Sequence, residues 1–295
     1  MLIIDFARPD GPPERVGVIG SCRVHDPLKE VARSGRGAFM WSAFNSFTHT
    51  PPETVQHIAF CRGLLEIPEP FGPYILRQDK IPLLDDRLPS LVETCTTFMV
   101  EMSGMDYLRC GHYVFNQDYF SQQFVRGGGL GVLDWHRNLS AAPPAPERAC
   151  LALASLAGAG RRRGVAAEEI LTNLRNLTLT AETYRAELSK VIFDASRRWI
   201  FVPHFNVSED PAERIAARAV LRDVLARDAA ALGCDFYDPT PIVARAGRKA
   251  ALEGGGVDTY HYAPAFMPII GQGLYEAIME TPPQAAPGNE PHGQP

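Results

Sequence analysis

Two short segments at opposite ends of the chain carry residue types able to make and break covalent bonds. The first is Gly20-Ser21-Cys22-Arg23, which follows the apolar run Val16-Gly17-Val18-Ile19. A Gly at a strand end permits a tight turn, so the next side chains can stand exposed above a sheet. Backbone N–H groups entering a following helix, from Pro27 onward, would stabilise negative charge at that turn. A Cys there is expected to have a lowered pKa and to be a competent nucleophile. The second segment is Asp258-Thr259-Tyr260-His261, just ahead of Pro264. A His three residues after an Asp can be held in one tautomer by the carboxylate and serve as a general base. Taken singly, each segment also reads as plain structure: a strand–helix turn with a buried Cys, and a surface turn with a helix-capping Asp. Together they supply a nucleophile, a base and the group that orients the base.

The elements that must position them are short apolar runs separated by helical patterns. Residues 15–20 are β-branched, closed by Gly, and predict a buried strand. Residues 38–41, 97–101, 198–202 and 234–238 are the other strand candidates. Continuous apolar strands suit a parallel sheet covered on both faces. Residues 208–233 predict one helix, opening on Ser and Asp and closing on Gly233. Residues 167–191 place apolar side chains at three- and four-residue steps and predict an amphipathic helix, with a break near Thr178-Leu179-Thr180. A last helix is expected from about Pro264. Strand–helix alternation predicts a doubly wound α/β fold with its ligand beyond the carboxyl ends of the strands. One domain over residues 1–280 is expected, with a Gly/Pro/Ala-rich insertion or lid near 126–166 and a disordered tail over 281–295.

The order and setting of the two segments resemble the SGNH-hydrolase (GDSL-type) superfamily. That family carries a nucleophile in Gly-Asp-Ser after the first strand and an Asp-x-x-His before the last helix. Branches with Gly-Ser-Cys in place of Gly-Asp-Ser, the GSCFA-type and capsule-biosynthesis proteins, are the most similar. The resemblance implies a flavodoxin-like three-layer sandwich around a central parallel sheet of about five strands. It implies acyl transfer through Asp258, His261 and either Cys22 or Ser21, since Cys22 aligns with the family's Ser and Ser21 with its Asp. Cys22 is favoured because a thiolate needs less help from a base than a hydroxyl does. The family's Gly-x-Asn-Asp block, which supplies oxyanion donors, is absent. Asn45 from Ser42-Ala43-Phe44-Asn45-Ser46, or Ser103 after the strand at 97–101, is the expected replacement. Both also read as turn caps.

Further candidates border the same expected edge. Glu101 could be a second acid, Arg23 could bind a carboxylate or phosphate, and His204 could touch substrate. Each has a plain structural alternative. Arg161-Arg162-Arg163 reads best as a solvated charge run. The expected activity is an O-acyltransferase or esterase acting on a carbohydrate or other hydroxylated small molecule. Acetyl-CoA or another acyl-CoA is the expected donor, with no permanently bound cofactor. The alternatives are a small-ester hydrolase and a catalytically silent SGNH-like binding protein.

Composition bounds these readings. The chain has 295 residues, 45% hydrophobic and 21% charged, enough for a substantial core. A net charge of −5 argues against a general nucleic-acid binder. No run approaches the roughly 20 apolar residues of a membrane span, and the start lacks the pattern of a secretory signal, so cytoplasmic location is expected. Six dispersed cysteines without a CxxC pair are expected to be reduced. Eight dispersed histidines without HxxxH spacing predict no metal site.

Overall fold

A computed structural model describes residues 1–41, 47–76, 86–158, 165–210 and 212–280. The described strands are β1 (Leu2–Phe6), β2 (Glu14–Ile19), β3 (Gly37–Trp41), β4 (Thr97–Met102), β5 (Asp106–Cys110), β6 (Tyr113–Phe115), β7 (Leu174–Thr178), β8 (Arg198–Pro203) and β9 (Asp235–Phe236). Six form one sheet in the order β3-β1-β2-β4-β8-β9. β2, β4, β8 and β9 pair in parallel, whereas β1 is antiparallel to both of its neighbours. Leaving out β1, the remaining strands follow the doubly wound order 2-1-3-4-5, whose switch point lies between β2 and β4.

Side chains alternate between the two faces of this sheet. Phe98, Val100 and Met102 of β4 join Ile19 and Phe201 in one core, while Met99 joins Val16, Val18, Ile200 and Val202 in the other. Burial on both faces is why these strands read as unbroken apolar runs. The second core is covered by helix α1 (Cys22–Val31) and the helix Met267–Met279. At their crossing Gly271 is required: a Cβ there would stand 2.5 Å from the Pro27 carbonyl oxygen. Helix α2 (Pro51–Cys61) contributes Ile58, Phe60 and Cys61 to the first core.

Several expectations are corrected. β1 and the antiparallel sheet β6-β5-β7 were not expected. The pattern at 167–191 resolves into a helix (Val165–Asn173), strand β7 and a second helix (Ala181–Val191), because residues 174–178 pair with β5. The helix expected over 208–233 spans Ala216–Ala231. The Gly/Pro/Ala-rich segment expected as an insertion or lid holds helices Leu130–Arg137 and Pro146–Gly158, with Val132 and Trp135 buried in the first core. The 281–295 tail and Arg161-Arg162-Arg163 lie outside the described residues. Among the described residues no helix is long and apolar enough to cross a membrane.

Candidate active site

The turn after β2 lies at the switch point. Gly20 has φ +145°, and a Cβ on it would come within 2.5 Å of the Glu101 Cβ, so this position needs glycine for both conformation and space. The helix begins here and not at Pro27, which sits inside it. Ser21 is the N-cap: its Oγ accepts from the Arg23 N–H at 3.2 Å and donates to Glu101 Oε2 at 2.6 Å. The Ser21 N–H also donates to Glu101 Oε2, at 2.8 Å. Glu101, at the end of β4, then holds Arg23 through the guanidinium Nε. Ser21, Arg23 and Glu101 are all buried. The Ser21 hydroxyl is thus committed on both its donor and acceptor sides.

Cys22, the first helical residue, is half-buried. Its thiol pKa is raised, against expectation. Burial is the largest cause, and the nearby Arg23 charge only partly offsets it.

The opposite segment forms the expected pair. The His261 ring Nδ1 lies 2.8 Å from Asp258 Oδ2, and Asp258 Oδ1 accepts the N–H groups of Tyr260 at 2.7 Å and His261 at 3.2 Å. These bonds, the His261 ring first, hold the Asp258 carboxyl below its usual pKa. Arg218, from the helix Ala216–Ala231, anchors the loop by donating to the Thr259 carbonyl at 2.8 Å and packing over the Tyr260 ring at 4.9 Å. Its own pKa falls to about 10, chiefly through burial and next through the Arg23 charge. Among the described residues the His261 ring bonds neither Cys22 nor Ser21.

Arg23 of the first segment and Tyr260 of the second line one cleft of about 250 Å³, together with His49, Ser103, Asp118 and His204 among others. His204, following β8, is buried, and its Nε2 has no hydrogen-bond partner among the described residues. Its pKa is pushed well down by burial first, then by Arg23, Arg218, His49 and His261. Of the expected residues, Arg23, Ser103 and His204 line this cleft, and Glu101 binds Ser21 and Arg23; Cys22, Ser21, Glu101, Asp258 and His261 are not among its lining residues. Asn45 lies outside the described residues.

Sequence reasoning missed His49, Glu53 and Asp118. Ser103 Oγ is 2.7 Å from His49 Nδ1, and His49 N–H donates to Glu53 Oε2 at 3.1 Å. No local pattern marks these residues, because β4 meets the start of α2 only in the folded chain. Burial raises the Glu53 carboxyl to about 8 despite bonds from His49, Asn116 and Thr50. Between pH 4.5 and 8 the folded state thus holds a proton that the unfolded chain releases. This group makes stability fall as pH rises through that window, by on the order of 4 kcal/mol. Glu53→Gln keeps the shape of the protonated acid. In urea denaturation across pH 5–8, about the window of that group, the variant is expected to lose this slope and to be the more stable protein at the alkaline end.

Glu253, Asp258 and His261 bring possible metal-ligand atoms within 4.8 Å of one another. The Asp258 oxygens are already bonded to the His261 ring and to backbone N–H groups, so the geometry suits a carboxylate–imidazole pair.

A family model described as TviD N-terminal domain matches residues 14–277. The Vi polysaccharide biosynthesis protein TviD of Salmonella typhi is 23% identical over 279 residues, which cover 89% of this chain and 31% of that protein. The chain thus spans less than a third of the length of this curated relative. No solved structure matches.

Proposed function

We propose that this chain, which belongs to the TviD N-terminal domain family, is an SGNH-like enzyme that transfers an acyl group to a carbohydrate hydroxyl. The observation that carries the reading is the Asp258–His261 pair, next in sequence to Tyr260, which lines the same cleft as Arg23 of the Gly20-Ser21-Cys22-Arg23 turn. The carbohydrate acceptor draws support from the name of the relative, which concerns polysaccharide biosynthesis.

Cys22 is the nucleophile in this reading, since the Ser21 hydroxyl is spent on Glu101 and on capping α1. His261 Nε2 takes the thiol proton while Nδ1–H stays on Asp258. The sulfur attacks the carbonyl of an acyl-CoA or similar thioester, and the departing thiolate takes the proton from His261. An acceptor hydroxyl then gives its proton to His261 and attacks the Cys22 thioester. Cys22 leaves as thiolate and is reprotonated.

The rival, a silent binding protein, is favoured by the absence of a hydrogen bond from His261 to either candidate nucleophile. Catalytic hydrogen bonds often tighten only with substrate bound. Incubation with acetyl-CoA or an activated acetyl ester, followed by intact mass spectrometry and peptide mapping, separates the readings. The expected result is an acetyl group mapped to the peptide that carries Cys22, absent from that peptide in Cys22→Ala. An adduct on Ser21 moves the nucleophile there. No adduct with any donor, in folded protein, overturns the enzyme reading in favour of the binding protein.

A further inference from the structure

The same cleft holds a second serine, imidazole and carboxylate in series. Ser103 Oγ lies 2.7 Å from His49 Nδ1, and His49 Nε2 lies 3.6 Å from Asp118 Oδ2. All three line the cleft. Ser103 is partly exposed, so a substrate carbonyl can reach it. We propose that Ser103, His49 and Asp118 form a second nucleophilic site that accepts an acyl group from an ester or thioester, independently of Cys22.

The roles follow from the geometry. The Asp118 carboxylate faces Nε2 and favours the proton there, which leaves the Nδ1 lone pair toward the Ser103 hydroxyl. Burial, and next the Arg23 charge, lower the His49 pKa, so the ring is neutral and able to accept a proton. The three residues are also held in register by backbone bonds. The N–H groups of Ser103 and Gly104 both donate to the His49 carbonyl, at 2.8 and 3.0 Å. The His49 N–H is bound by Glu53, whose Oε2 also accepts from Asn116 Nδ2 at 3.2 Å. Asn116 in turn caps the turn that carries Asp118, accepting its N–H at 3.1 Å. A merely structural Ser–His bond has no need of a carboxylate on the far ring nitrogen or of an opening onto a cleft.

In the step, the Ser103 O–H proton passes to His49 Nδ1 as Oγ bonds to the acyl carbon. The C–S or C–O bond of the donor breaks, and the leaving thiolate or alkoxide takes the proton from Nδ1. Arg23, also on the cleft wall, is placed to stabilise the developing oxyanion. Water or a second hydroxyl, deprotonated by His49, then releases the acyl group from the Ser103 ester.

A fluorophosphonate tests this, because it bonds an activated serine oxygen through phosphorus and expels fluoride. The full chain would be treated, digested and mapped by mass spectrometry, with folding of each variant checked by circular dichroism. The expected result is phosphonylation at Ser103, slowed at least about a hundredfold in His49→Ala and more weakly in Asp118→Asn, whose side chain is mostly exposed. Labelling of Ser103 is expected to persist in Cys22→Ala, so a failure of the Cys22 reading would leave this one standing. Absence of label on Ser103 in the folded wild-type chain overturns the proposal, as does labelling that His49→Ala leaves unchanged.

Discussion

Replacing Glu101 with alanine is expected to cost about 3–5 kcal/mol of folding stability. Glu101 and Arg23 retain only 1% and 8% of their exposure, so the variant leaves a buried guanidinium without its counter-charge. It also removes the acceptor for both the N–H and the O–H of Ser21, and an unsatisfied buried donor carries its own penalty. Glu101→Gln keeps an acceptor for Ser21 but not the charge, and is expected to fall between the two. In urea denaturation the double variant Glu101→Ala/Arg23→Ala should lose less than the sum of its single variants, since neither partner is then stranded. A loss in Glu101→Ala no larger than an exposed ion pair gives, about 1 kcal/mol or less, would show that the pair does not hold the turn. Because this network seats the residue before Cys22, activity should fall with stability.

The second large effect is expected at His261. Burial keeps Cys22 as a thiol, so the reaction depends on a base to remove its proton. His261→Ala is expected to slow acyl transfer by about 10²–10⁴ in kcat/KM while leaving stability nearly unchanged, because the ring is exposed and, among the described residues, its side-chain bond is to Asp258. Asp258→Asn removes the charge that orients the ring and is expected to lower the rate by less. The measurement is steady-state transfer from an acyl-CoA, with melting temperatures as the control. A His261→Ala enzyme with the wild-type rate would place the base elsewhere.

Much of the frame was legible because it rests on burial. β2, β4 and β8 sit between two helical layers, so their central side chains are apolar and the runs announce themselves. β3 was found as a strand, although its side chains are largely exposed. β1 was missed: its five residues give a short apolar run, and only pairing with β2 and β3 defines it. Leu174–Thr178 was misread because Leu174 and Leu177 also fit a helical step. Pairing with β5 supplies the ladder that decides for a strand. Helix α1 was placed too late because Pro27 looked like a helix start. The Ser21 cap, which starts the helix at Cys22, becomes visible only when its hydroxyl is seen to accept the Arg23 N–H.

What the amino-acid order determined by itself was the pairing of Asp258 with His261 and the placing of Gly20-Ser21-Cys22 at a strand end, since both depend on contacts within a few residues. What only the tertiary structure decided was the use of each group. Glu101 comes from 80 residues away to claim the Ser21 hydroxyl. Burial from packed neighbours reverses the expected shift of the Cys22 thiol. Ser103 meets His49 across 54 residues, and a buried Glu53 holds that meeting in place. Protonation and hydrogen-bond partners are set by desolvation and by long-range contacts, and neither exists until the sheet has brought its strand ends together.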